Sequence, residues 1–159
     1  MHVTFKYSER EFISAMKQIH NSKRIVFDFV LAIALFSYGV YSLMSDSNDI
    51  LDTILVVISL IFLFISVAKL FIVPRMAFRR EPKFKEEYHL LFNDDGILFK
   101  AGGINSNITW DYYNGIKETK DFIYLYYGKR GYSIIPKRAF ENNEEVNKFL
   151  TMLRSKITT

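Results

Sequence analysis

The sequence predicts a membrane α-helical hairpin plus a cytoplasmic α+β domain, and three observations predict it. Two apolar runs, Ile25–Met44 and 53–73, are each long enough to cross a bilayer, because about 20 residues rising 1.5 Å apiece cover a hydrocarbon core of about 30 Å. From residue 88 onward, apolar residues recur with period two between turn residues, as in antiparallel strands. The chain then ends in an amphipathic helix.

Taken in order, residues 1–24 form a cytoplasmic N-terminal segment. Val3, Phe5 and Tyr7 alternate with His2, Thr4 and Lys6, which makes a short strand. A lone strand of this kind is unstable unless it pairs, so it is expected to join the C-terminal sheet. Ser8 and Glu11 have the spacing of a capping box, and Phe12, Met16 and Ile19 follow at helical spacing, predicting an amphipathic helix over 9–21. Residues 25–73 are the hairpin. The small residues Ala32, Ala34 and Ser37 are followed by a second span instead of a cleavage site, which argues against a removable signal peptide. Lys17, Lys23 and Arg24 precede the first span, and Arg75, Arg79, Arg80, Lys83 and Lys85 follow the second. The connecting loop carries Asp46, Asp49 and Asp52 without a cation. By the positive-inside rule both termini are cytoplasmic. Pro74 is expected to end the hairpin, and 74–87 reads as a basic juxtamembrane connector that Pro82 keeps from being one helix.

Residues 88–159 read as a meander of short strands. The Asn93-Asp94-Asp95-Gly96 and Gly102-Gly103 turns separate the first strands, and Gly128-Lys129-Arg130-Gly131 joins the last two. Asn142 caps the final helix with Glu145 three residues on, while Val146, Phe149, Leu150, Leu153 and Ile157 form its apolar stripe. A curved sheet with one apolar face is the available partner for that stripe. Short strands closed by one C-terminal helix follow the plan of a pleckstrin-homology-like antiparallel β-barrel. In addition, 107–111 (Asn-Ile-Thr-Trp-Asp), 115–119 (Gly-Ile-Lys-Glu-Thr), 121–126 (Asp-Phe-Ile-Tyr-Leu-Tyr) and 134–140 (Ile-Ile-Pro-Lys-Arg-Ala-Phe) resemble the C-terminal domain of the YcxB-like bacterial membrane proteins. That resemblance implies the fold and the topology and carries over no catalytic residue; the expected location is the bacterial plasma membrane.

The residues themselves offer little chemistry. With no cysteine, thiolate nucleophiles, disulfides and Cys-ligated zinc are excluded. His2, His20 and His89 lack metal-ligand spacing, no phosphate-binding or nucleophile-elbow motif occurs, and Asp94 and Asp95 precede Gly96 as turn formers. No enzyme, cofactor or metal is expected. Tyr112, Tyr113, Tyr124, Tyr126, Tyr127 and Tyr132 alternate along strands, so packing explains them better than base stacking, and no nucleic acid is expected. The net charge of +4 is concentrated beside the spans, where anionic inner-leaflet lipid is the natural counterion.

Two sets of residues stand out. Lys129, Arg130, Lys137 and Arg138 could form a basic rim that takes an anionic lipid headgroup or an acidic partner segment. Asp28 and Lys69 are charges inside the spans; counting along an α-helix puts them about 6 Å and about 9 Å from the cytoplasmic edge, nearly level, which suits an intramembrane pair, separate snorkelling to the interface, or an ion or proton path. Two helices enclose no pore, so conduction would need a homo-oligomer. The expected function is non-enzymatic: an inner-leaflet binding, scaffolding or regulatory protein with a protein partner. The alternatives are a self-protection (immunity) protein against a membrane-active toxin and an accessory subunit of a transporter or channel.

Overall fold

The computed structural model describes residues 1–19, 22–45, 50–129 and 131–157. His20, Asp46, Asp49 and Arg130 from the sequence reading lie outside them. The chain divides into two compact units, one made of Met1–Ala15 with Phe78–Thr159 and the other of Met16–Ala77.

The second unit is a helical hairpin of α2 (Ser22–Met44) and α3 (Ile50–Val67), packed on each other. Small residues sit where the helices meet. A Cβ on Gly39 would fall 2.7 Å from the Val56 side chain, and Ala32 is buried. Ser59 and Ser66 are also buried, and their hydroxyls donate to their own helix at the carbonyls of Val56 (2.8 Å) and Phe62 (2.9 Å). Most other side chains are apolar and exposed, among them Phe27, Ile33, Ile61 and Phe64. Both helices are therefore long and apolar enough to cross a membrane, with only 11% and 6% of their most apolar windows buried by the chain itself. A core helix of a soluble protein would be mostly covered.

The second helix does not stop at Pro74. A π-helical turn, Ala68–Ile72, leads into α4 (Val73–Arg80), so the helical stretch runs through the proline to Arg80. Val73 donates to the carbonyl of Ala68, five residues back. This widened turn makes room for a ring that would otherwise press on the carbonyl of Leu70, and it corrects the expectation that the hairpin ends there. Pro82 does stop the helix. It opens a 3-10 turn, Pro82–Lys85.

In the first unit, β1 (His2–Lys6), β2 (Glu87–Phe92), β3 (Gly96–Ala101) and β4 (Ile104–Thr109) form a four-stranded antiparallel sheet in that order. β5 (Tyr113–Glu118), β6 (Phe122–Tyr127) and β7 (Gly131–Pro136) form a separate three-stranded antiparallel sheet. The N-terminal strand pairs as its apolar face requires, with Val3 opposite Leu90 and Phe5 opposite Tyr88. At the turn after β2, Asn93 Oδ1 accepts from the Gly96 amide at 2.8 Å, and a Cβ on Gly96 would meet the Ile108 carbonyl at 2.1 Å. Gly102 and Gly103 take φ of +53° and +80°, the mirror-image turn that suits a tight hairpin.

The expected single meander breaks after β4. Trp110 lies not on a strand but at the head of a 3-10 turn, Trp110–Tyr112, where it is buried. Its indole donates to the carbonyls of Asn93 and Asp94, both at 3.1 Å, and its ring stacks on Phe92. Satisfying a buried indole N–H fixes the chain at this corner, so one sheet ends and the other begins here. The two sheets are not joined into a closed barrel. Between β1 and β7 side chains span the gap instead: the Tyr7 hydroxyl donates to the Ile134 carbonyl, and Arg138 donates to the Lys6 carbonyl at 2.8 Å.

Two helices cover the sheets. Val146, Phe149, Leu150 and Leu153 of α5 (Asn143–Lys156) are all buried, and Phe149 packs on Phe92 and Phe140 at ring distances of 4.6 and 5.0 Å. α1 (Glu9–Ile19) buries Phe12 and Ala15, and the Tyr124 hydroxyl donates to the Ala15 carbonyl at 2.7 Å. β6 is accordingly apolar and buried on both faces, from Phe122 to Leu125.

Candidate functional site

The first unit holds an open cleft of about 530 Å³. Three pieces of chain form it: the first turns of α1 (Glu11, Ser14), the turn between β5 and β6 (Lys120, Asp121), and the segment between β7 and α5 (Lys137 to Asn143). Each wall has a local cause. Ser8 caps α1, accepting from the Glu11 amide at 3.2 Å. Thr119 accepts from the Phe122 amide and closes the β5–β6 turn. Asn142 caps α5, accepting from the Glu145 amide at 2.9 Å, while the Glu145 carboxylate accepts from the Glu141 amide at 2.8 Å. Phe122 and Phe140 line it as largely buried rings.

The basic residues here are already engaged. Arg138 presents a fork to Glu11, with Nε donating to Oε1 and Nη2 to Oε2, both at 2.6 Å, and Nη2 also donates to the Lys6 carbonyl. Glu11 is well covered and Arg138 about half exposed. Hydrogen bonding to Glu11 holds the guanidinium above its ordinary pKa. Lys137 donates to Glu118 Oε1 at 2.7 Å, and its amide donates to the Asp121 carbonyl at 2.9 Å. Next to this network burial pushes the Tyr7 hydroxyl well up, with Tyr88 and Glu11 adding to it, and burial first of all pushes Tyr88 up to about 12. Tyr7 therefore stays a proton donor to Ile134 across the usual pH range.

This geometry revises the rim. Lys129 is exposed at the tip of the β6–β7 hairpin, whereas Lys137 and Arg138 follow the opposite end of β7, six residues away along the strand. At about 3.3 Å per residue the two places are about 20 Å apart, so no single basic rim forms from them. Arg130, the other residue of that set, lies outside the described residues. The capping box is also halved: Ser8 caps, but the Glu11 carboxylate turns to Arg138. Glu11 and Tyr7 are the site residues that sequence spacing did not reveal, because their partners stand 127 positions away.

Elsewhere Asp28 is half-buried on α2 and Lys69 is exposed in the π-helical turn, and no ion pair joins them among the described residues. The π turn shifts the helical phase on which the level pairing was counted. Lys17 places its ammonium 3.9 Å from the centre of the Phe71 ring in that same turn. His2 and His89 stack across β1 and β2, with Thr4 within 3.2 Å of His89. Among the described residues no group of His, Asp and Glu is arranged to hold a metal ion. Of the tyrosines, Tyr113 and Tyr124 are buried, and exposed Tyr112 stacks on Tyr127 at 4.9 Å.

The comparisons bear on this same region. No curated protein and no solved structure matches the chain. The family model described as YcxB-like protein matches residues 92–153, from the last residue of β2 into α5. That span contains Ile134 and Arg138 but neither Tyr7 nor Glu11, which hold the N-terminal strand and helix against it. The segment 134–140 that resembles this family is thus a structural staple, with Ile134 and Ile135 buried, Lys137 and Arg138 in ion pairs, and Phe140 against Phe149. Residues 92–153 are therefore similar to the YcxB-like protein family.

Proposed function

We propose that this protein is a non-enzymatic, two-span anchor of the bacterial plasma membrane that holds a pleckstrin-homology-like binding domain at the cytoplasmic face. The observation that carries the reading is the pairing of β1 with β2. These strands flank the hairpin in sequence, and a strand ladder cannot form through a bilayer. If α2 and α3 cross, both ends of the chain lie on one side, and the basic residues after the second span, Arg75, Arg79 and Arg80, assign that side to the cytoplasm. A four-stranded and a three-stranded antiparallel sheet followed by a C-terminal helix support the pleckstrin-homology-like attribution.

The domain's role is recognition of a protein segment in the cleft. Lys137 and Arg138 already carry carboxylate partners, so a lipid phosphate would have to displace Glu118 and Glu11. The rest of the rim, with Lys120, Asp121 and Glu141, is of mixed sign and fits a polypeptide of mixed charge better than an anion. A photo-crosslinking residue at Lys120, with Lys129 as the control, tests this in native membranes. A discrete protein adduct from Lys120 alone supports the reading; adducts to phospholipid only would replace it with headgroup binding.

A further inference from the structure

Four strand edges border the two sheets, and three of them are obstructed. Arg138 occupies the Lys6 carbonyl on the edge of β1. Tyr7 occupies the Ile134 carbonyl on the edge of β7, and Pro136 removes a donor from its end. The β5 edge has a register shift between Tyr113 and Gly115 and carries Lys117 and Glu118. Bulges, prolines and charges are the usual means by which sheet edges avoid pairing with other chains.

β4 has none of them. It runs Ile-Asn-Ser-Asn-Ile-Thr without charge or proline, in unbroken register with β3 from Ala101–Ile104 to Gly96–Thr109. No backbone hydrogen bond crosses its outer edge among the described residues. Asn105, Asn107 and Thr109 are exposed on one face of it. An antiparallel strand paired with its own copy sets each residue against another from the same short sequence, so any charge on it would face its like. Uncharged amides and hydroxyls, which both donate and accept, are complementary to themselves.

We propose that β4 is a self-recognition edge, which pairs antiparallel with β4 of a second copy of this chain and so extends the four-stranded sheet across a two-fold axis. The inference uses a different surface from the cleft. Anchoring in one membrane only raises the local concentration of copies.

The chain has no cysteine, so single cysteines report cleanly on the contact. The full chain in native membranes would carry Asn105→Cys, Ser106→Cys or Asn107→Cys, with Lys129→Cys and Asn147→Cys as exposed controls, under mild copper-phenanthroline oxidation. A disulfide-linked dimer is expected to peak at one β4 position and to be absent from both controls. Adding Asn105→Lys with Asn107→Lys to the Ser106→Cys chain should cut the dimer at least tenfold while Trp110 emission, the check on folding, stays unchanged. No dimer at any β4 position, equal dimer at Lys129→Cys, or an adduct whose mass contains another protein would each overturn the proposal. The last would make the edge a docking strand for a foreign partner.

Discussion

The hairpin and the folded domain solve opposite problems with the same chain. In the hairpin most large side chains are apolar and exposed, and the helices meet at close contacts such as Gly39 against Val56. In the domain the apolar residues are buried, and single polar groups decide how the pieces meet: the Trp110 indole at the corner, the Tyr7 hydroxyl and the Arg138 fork at the open seam. The hairpin therefore depends on its solvent and tolerates substitution. The domain depends on a few residues and does not.

The sharpest way to separate the two is Trp110→Ala. Removing a buried tryptophan costs about 3 to 5 kcal/mol, comparable with the whole stability of a domain this small. The domain should lose protease resistance while the helical signal of the hairpin in membranes is retained. Equal loss in both regions would show that they fold as one.

Arg138→Met comes next. It leaves the covered Glu11 carboxylate without its fork, and because Arg138 is about half exposed the loss is expected at about 1 to 2 kcal/mol. Denaturant unfolding should show that Arg138→Lys recovers only part of this, since an ammonium cannot make both bonds. Tyr7→Phe strands the Ile134 carbonyl at the same seam and should cost about 1 kcal/mol. Faster proteolysis between β1 and α1 would report it. By contrast Phe64→Leu, on an exposed face of α3, should leave the domain's unfolding midpoint where it was.

The smallest effect is at acid pH. A hydrogen bond from Lys156 holds Asp94 below the ordinary carboxylate range. A depressed carboxylate contributes stability that is present above its unfolded pKa of about 3.9 and lost as pH falls through the folded value. Lys156→Met should therefore narrow the difference in domain stability between pH 5 and pH 2.5, read by denaturant unfolding at the two pH values.

Period and punctuation carried much of this into view. The length of the apolar runs announced α2 and α3, the alternation of Val3, Phe5 and Tyr7 announced a strand in need of a partner, and Asn142 with Glu145 announced the cap of α5. What stayed hidden depends on contacts distant in sequence. Nothing near Glu11 says that its carboxylate belongs to Arg138 and not to its own helix end. Trp110 reads as a strand residue by alternation, yet its N–H requires carbonyls at Asn93 and Asp94, and meeting that requirement splits one meander into two sheets. Pro74 reads as a stop, and only the π-helical turn ahead of it lets the helix pass.

The central claim is that β1 and the YcxB-like segment share one side of a membrane that the hairpin crosses twice. Labelling of single cysteines with a membrane-impermeant maleimide in intact cells tests it most directly. Ser45→Cys, at the far end of α2, should react from outside, while Lys6→Cys on β1 and Asn147→Cys on α5 should react only after permeabilisation. Protection of Ser45→Cys with outside labelling of the other two, or labelling of Lys6→Cys and Asn147→Cys from opposite sides, would contradict the account.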